Sequence, residues 1–346
     1  MITKLRIYEG KGFDPHENLA IEKCLMDITP TGCCVLYLWQ NQNTVVIGKN
    51  QNAWLECRTS LLEEEGGKLA RRLSGGGAVF HDLGNLNFTF IMPKEDYDLD
   101  KQVTVIQKAC ALAGIAAEKS GRNDLLADGR KFSGNAFYQN ATHAYHHGTL
   151  MVEVDKDKLG RYLSPPKAKL EAKGVASVRS RVVNLKELAP DLTIDLMKKY
   201  MAKAFAEVYG GEATVLELTD EDLSEIAALK EKYGSWEYLF GTPLPFSFAC
   251  ESHFDWGHIQ LQLEAKNGIV IGAKVYSDSM DWTLPETVEK ALLGCRFDTA
   301  QMQEALKQAI SDRIICEDLC QMLAEQTLEQ KIGCFRTRSF ILLPSV

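Results

Sequence analysis

Apolar and polar positions recur along this chain with periods that mark out its elements. Met1 to Gly10 alternates apolar and polar residues like a strand. Asp14-Pro15-His16-Glu17 predicts a helix start, with Asp14 as cap, proline in the first position and Glu17 completing a capping box. Leu19, Ala20, Cys24, Leu25 and Ile28 then share one face. Cys33 to Trp39 and Thr44 to Ile47 read as strands joined by a turn at Asn41-Gln42-Asn43. Thr59 to Glu65 predicts a short helix ended by Gly66-Gly67. Strand-like runs follow at Lys68 to Leu73 and Ala78 to His81, on either side of Gly75-Gly76-Gly77, and Asn87 to Met92 continues the sheet. Asp100 to Ala113 is helical and stops at Gly114.

Asp124 to Ala127 and Lys131 to Tyr138 flank an Asp128-Gly129 turn and predict a hairpin, with a strand at His147 to Val154 after it. Connections are mostly short, which predicts a mixed or antiparallel sheet with helices packed around it. Pro165-Pro166 opens a polar, cation-rich loop, Lys167 to Arg181, and Ile194 to Tyr209 is a helix closed by Gly210-Gly211. Two prolines in Gly241-Thr242-Pro243-Leu244-Pro245 suit a linker, so the expected domains are 1–245 and 246–346. In the second, His258 to Ala265 and Ile269 to Tyr276 alternate around Lys266-Asn267-Gly268, with helices at Pro285 to Leu293, Thr299 to Ile310 and Glu317 to Glu325.

Length and composition narrow the class of protein. At 346 residues the chain is long enough for two domains, and 45% apolar with 25% charged residues is ordinary for a soluble globular protein. A net charge of -8 argues against a grip on nucleic acid, which needs a basic face. No apolar run is long enough to span a bilayer, and the N-terminus lacks the apolar core of a signal peptide, so the expectation is a cytoplasmic protein. None of the ten cysteines forms a C-x-x-C pair or stands beside clustered histidines, which argues against zinc. No cysteine lies between Ala111 and Ala249.

Four segments could carry chemistry. In Arg71-Arg72-Leu73-Ser74-Gly75-Gly76-Gly77-Ala78-Val79-Phe80-His81, consecutive glycines let backbone N–H groups approach an anion, and an arginine fork suits phosphate or carboxylate. A plain hairpin with surface arginines competes with that reading; the segment is neither a P-loop nor a Rossmann fingerprint. Gly121-Arg122-Asn123-Asp124 followed by Gly129-Arg130-Lys131-Phe132-Ser133-Gly134-Asn135 offers a lysine that small neighbours leave uncrowded, although a solvent-facing lysine fits equally. In Tyr145-His146-His147-Gly148-Thr149 the two histidines face opposite sides of a strand, so one of them is expected to line a pocket. Lys169 to Arg181 is either a solvated basic loop or a cover for a triphosphate.

Together these segments resemble the lipoate–protein ligase A family over nearly the whole chain. The matches are R-R-x-S-G-G-G-A-V-F-H, G-R-N-D, R-K-x-S-G-N-A, H-H-G-T and K-G-[VI]-x-S-V-R-S-R-V, in that order. The resemblance implies an α+β fold: a mixed sheet flanked by helices, of the biotin/lipoate-ligase, class II synthetase-like type, with a small α+β C-terminal accessory domain. It implies ATP with Mg2+ as cofactors and lipoate as substrate. Arg72 and the backbone of Gly77, Ala78, Val79 and Phe80 would hold the nucleotide phosphates. Lys131 would contact both the lipoate carboxyl and the α-phosphate and act as the catalytic residue. Ser74, Gly75, Gly76 and His147 would line the acyl pocket, and Asp124 would face the nucleotide or its magnesium. Lys173, Gly174, Arg179 and Arg181 would order over the adenylate. The partners would be lipoyl domains of 2-oxoacid dehydrogenase E2 subunits or the glycine-cleavage H protein, served by a monomer.

Three rivals remain at this point. An octanoyl or lipoyl transferase of the same fold works through an acyl-cysteine, and the cysteine-free stretch is where its nucleophile is expected. A biotin ligase would carry a G-R-G-R-x-G loop, which is missing. A non-catalytic lipoate-binding relative would share every motif.

Overall fold

The structure, a computed structural model, describes residues 1–121, 123–163, 182–241 and 248–338. It divides into two compact units, Met1–Gly241 and Thr242–Val346.

The first unit is built on an eight-stranded mixed sheet with the order β11-β1-β2-β6-β10-β9-β8-β7. Its strands are β1 (Lys4–Glu9), β2 (Cys33–Trp39), β6 (Asn85–Pro93), β7 (Ala117–Ser120), β8 (Asp124–Ala127), β9 (Arg130–Gln139), β10 (His143–Met151) and β11 (Ala213–Val215). β1 runs parallel to β11 and β2, and the remaining pairs are antiparallel. β2 and β6 are buried along their whole lengths, which requires cover on both faces. The helix Pro15–Ile28 supplies one cover, placing Leu19, Ala20, Cys24 and Leu25 against Val35, Tyr37, Trp39, Ile91 and Tyr145. The helices Leu99–Leu112 and Ile194–Tyr209 supply the other, burying Val105, Ile106, Met201 and Phe205 against Leu36, Leu38, Phe88 and Phe90.

β3 (Thr44–Ile47) does not continue β2 across a hairpin, as its nearness in sequence predicts. It forms the centre of a separate small sheet, β4-β3-β5, with β4 (Lys68–Arg71) parallel and β5 (Val79–His81) antiparallel to it. The strands on either side of the three glycines therefore pair with β3 and not with each other. Two further expectations shift. Asp14 does cap the first helix, accepting from the backbone N–H of His16 and Glu17, but Glu17 pairs with Lys230 at 2.6 Å instead of returning to the cap. The strand expected from His147 begins at His143 and ends at Met151, because its whole length pairs with β6.

The second unit is an antiparallel meander of β12 (Phe248–Phe254), β13 (Gly257–Lys266) and β14 (Ile269–Ser277), with helices Leu284–Leu292, Thr299–Ala309 and Arg313–Arg338. Asn267 and Gly268 take the left-handed conformation that the tight turn between β13 and β14 requires, at φ 53° and 76°. Ile259, Leu261, Leu263, Val275, Val288, Leu306 and Leu323 form its core.

Candidate active site

Cross-strand partners share a face of a sheet. Two such rows cross the middle of the large sheet: Trp39–Asn87–Thr149 and Tyr37–Thr89–His147. On β6 the polar residues Asn85, Asn87 and Thr89 alternate with Leu86, Phe88 and Phe90, so this strand turns one buried polar face towards the first helix and one apolar face towards the opposite core. Over the polar face lies a cavity. Leu19, Trp39, Val46, Val79 and Ala136 give it apolar walls, and Arg72, Gly76, Gly77, His81, Asn87, Asn123, Lys131, Asn135, His147 and Thr149 supply the polar ones.

The glycine loop is fixed from below. Gly48 has no room for a side chain, because a Cβ there would stand 2.2 Å from the carbonyl oxygen of Gly76. Gly76 itself has φ 88°. Arg72 is buried and donates to the carbonyls of Val46 at 3.1 Å, Gly75 at 2.7 Å and Gly77 at 2.8 Å, and to Ser74 Oγ at 3.1 Å. Burial lowers its pKa to about 10. Arg71 also braces backbone, donating to the carbonyls of Lys49, Gln51 and Tyr238. Both arginines are thus loop scaffolds, a role that their sequence context does not distinguish from anion binding.

Ser74, His147 and a residue that no motif flagged, Glu22, form a buried relay. The Glu22 carboxylate accepts from Thr89 Oγ1 at 2.7 Å and from His147 Nδ1 at 2.8 Å. The other ring nitrogen, Nε2, stands 2.7 Å from Ser74 Oγ, so the ring is held between Glu22 and Ser74. Glu22 was legible in one respect: it sits between Leu19 and Leu25 on the apolar face of its helix, where an unpaired carboxylate is costly. His146, on the opposite face, is buried too, with Nε2 at 2.8 Å from Asn135 Oδ1. Asn135 in turn donates to the Asn123 carbonyl at 2.9 Å, which ties the Gly121–Asp124 turn to the sheet.

Lys131 lies beside a register slip between β8 and β9, which pairs Leu125 with Ser133 and Leu126 with Lys131. Phe132 between them is buried in the core, while Lys131 lines the cavity. A Cβ at Gly134 would come within 3.2 Å of Lys131 Nζ, so the small residue there leaves the lysine its place. The Gly134 N–H donates to Thr149 Oγ1 at 3.1 Å. Lys131 Nζ is 2.7 Å from Asp124 Oδ1, an ion pair lying off the direction of a formed hydrogen bond.

The structure therefore gathers Arg72, Gly76, Gly77, Ala78, Val79, Lys131 and His147 around one cavity. Ser74 and Asp124 contact lining residues, and Phe80 is buried in a neighbouring cluster. Lys173, Gly174, Arg179 and Arg181 lie outside the described residues, as does Arg122.

Residues 14–206 match the family model described as lipoyl protein ligase A/B catalytic domain, and residues 244–329 match that for the bacterial lipoate protein ligase C-terminus. The chain belongs to the lipoyl protein ligase A/B family. This ligase is 42% identical over 312 residues to lipoate-protein ligase A of Bdellovibrio bacteriovorus, covering 88% of this chain and 92% of that one. Its fold is that of P. falciparum LipL1, solved in complex with lipoate, at TM-score 0.80 and 24% identity, covering 92% of this chain and 98% of that one. A lipoate-protein ligase A solved bound with ATP superposes at TM-score 0.61 and 25% identity, over 70% of this chain and 99% of the other.

Two consequences can be measured. First, no residue lining the cavity, among those described, is a cysteine. Burial raises the thiols of Cys24, Cys57, Cys110 and Cys250 to about 12, far from the thiolate that a transferase needs. Mass spectrometry of the enzyme quenched during turnover should show no acyl group on any cysteine; a hydroxylamine-labile adduct would point to the transferase rival. Second, burial, helped by the nearby Arg72 and His147, lowers the pKa of His81 to about 3, and burial does the same for His146, with His147 and Lys119 adding to it. Unfolded histidine titrates near about 6.5, so between there and about 3 the unfolded chain binds more protons. The stabilisation is complete above the unfolded value and is lost as pH falls through this window. Calorimetry at pH near 5 should find that His146→Gln takes up about one proton fewer on unfolding than the parent; equal uptake would mean that His146 is protonated in the fold.

Proposed function

We propose that this ligase activates lipoate with ATP to lipoyl-AMP in the cavity over β6 and β10, and then passes the lipoyl group to a lysine of a carrier domain. The observation that carries this reading is the joining, in one cavity, of an apolar slot at Trp39 and Val46 with a cationic end at Lys131 beside a braced glycine loop.

The acid would lie with its chain against Trp39, Val46 and Ala136 and its carboxylate at Lys131. Its carboxylate oxygen attacks the α-phosphorus of ATP, and pyrophosphate leaves. Charge builds on the phosphoryl oxygens in that step, and Lys131 Nζ and the backbone N–H groups of the Gly77–Phe80 segment would offset it. The carrier lysine's amine then attacks the acyl carbon, and AMP leaves. Arg72, which donates to Val46, Ser74, Gly75 and Gly77, acts by holding the loop in shape. Ser74 and His147 lock one wall of the slot.

Magnesium supplies charge neutralisation to the triphosphate when bound. Among the described residues no group of three His, Cys, Asp or Glu side chains could hold a metal, so the ion would arrive with ATP, and the Asp124 carboxylate fits as one ligand to it. The first unit serves as the catalytic domain and the second as the accessory domain. The acceptors are lipoyl domains of 2-oxoacid dehydrogenase E2 subunits or the glycine-cleavage H protein, and the enzyme works as a monomer in the cytoplasm; no described helix is long and apolar enough to cross a membrane. Incubation with lipoate, Mg-ATP and candidate lipoyl domains, followed by intact mass analysis, should show one lipoyl group added to an acceptor. Unmodified acceptors throughout, from a folded enzyme, would count against the transfer step.

A further inference from the structure

Two side chains in the cavity wall keep polar atoms that the first half-reaction does not use. His81 is 4% exposed and Asn87 1%, and both line the cavity. His81 Nε2 and Asn87 Nδ2 have no hydrogen-bond partner among the described residues. Both are donors. Asn18 donates to Asn41 Oδ1 at 3.0 Å, which turns the Asn41 amide nitrogen towards His81 Nδ1 at 3.2 Å. Nδ1 therefore accepts, and the ring proton sits on Nε2. Asn85 Nδ2 donates to Asn87 Oδ1 at 2.9 Å, which leaves the Asn87 amide nitrogen as the open group.

Their place in the cavity says which part of the acid they meet. Thr149, Asn87 and Trp39 stand side by side on β10, β6 and β2. Thr149 marks the cationic end, through Gly134 and Lys131. His81 marks the other, edge-on to the Trp39 ring with centroids 6.3 Å apart. Lys131 Nζ stands by Gly134 on β9, one strand beyond Thr149, so Asn87 lies two strand spacings from it, roughly 10 Å, and His81 further on beside Trp39; an acid whose carboxylate meets Lys131 brings the far end of its chain to them. A plain alkyl chain there would bury two donors without partners, at a cost that a weak acceptor relieves. Divalent sulfur is such an acceptor, and lipoate carries two in its terminal ring.

We propose that His81 and Asn87 form a dithiolane-recognition subsite, donating to the ring sulfurs of lipoate and so selecting it over acids of the same shape that lack sulfur. The proposal rests on the lipoate-ligase reading of the cavity. It is tested by measuring adenylation kcat/KM for lipoate and for its cyclopentyl analogue, in which both ring sulfurs are carbon, with the parent enzyme, His81→Phe and Asn87→Leu. The parent should prefer lipoate, and each variant should shrink that preference about threefold to tenfold, the scale of one net hydrogen bond. Equal use of the two acids by the parent would overturn the proposal, and that comparison needs no variant to fold. So would an unchanged preference in both variants, which would mean that shape alone selects or that water serves the donors. Adenylation of neither acid by the parent would instead bring down the ligase reading, and the subsite with it.

Discussion

Replacing Lys131 with alanine is expected to leave a folded protein whose lipoate adenylation is slower by about two orders of magnitude or more, the scale of one lost transition-state charge contact. The substitution should be mild for stability, since Lys131 is about one-third exposed and its ion pair with Asp124 is not deeply buried. Its cost falls on chemistry, because in the proposed mechanism its ammonium group offsets the charge that develops as pyrophosphate leaves. Single-turnover formation of lipoyl-AMP at saturating ATP separates this loss from weaker binding. A variant that adenylates at the parental rate would remove Lys131 from the mechanism. Gly134→Val offers a second route to the same atom: its side chain would press on Lys131 Nζ and lower adenylation without removing the charge.

Replacing Arg72 with methionine should do the opposite, striking stability first. The guanidinium serves the carbonyls of Val46, Gly75 and Gly77 and the Ser74 hydroxyl inside the fold. Methionine fills part of the volume but leaves those acceptors unserved, at an expected loss of at least about 2 kcal/mol, or roughly 4–8 °C in Tm for a unit of this size. Activity should fall as well, through a glycine loop that is no longer held. Unchanged Tm with weakened ATP binding would show instead that Arg72 is a direct phosphate ligand and that its contacts with the loop are expendable.

These two residues show where the sequence was informative and where it was not. Local signals carried well: the 33–39 and 44–47 strands, the 194–209 helix and the Asp128-Gly129 and Asn267-Gly268 turns rest on periodicity and on φ-permissive residues, both properties of neighbours in the chain. Pairing did not carry. Whether β3 joins β2 or leaves for a second sheet depends on β4 and β5, which are contributed from further along the chain. The same division holds at the site. Lys131 and the glycine loop were visible as small-residue motifs, but the Glu22–His147–Ser74 relay spans three distant segments and appears only once the sheet brings them together. His81 stood in a quoted motif without a role, and Asn87 and Thr89 stood in the 87–92 strand run without one. They point inward because that face of the sheet is roofed by the first helix and the glycine loop.

The chemistry proposed for the cavity is the making of an acyl-adenylate. Lipoate-dependent exchange of labelled pyrophosphate into ATP tests it most directly, because exchange requires reversible formation of lipoyl-AMP and needs no carrier protein. Exchange with Mg-ATP should appear when lipoate is added, be absent without it and be nearly abolished in Lys131→Ala. No lipoate-dependent exchange from a folded enzyme, alongside lipoyl transfer that proceeds without ATP, would contradict it.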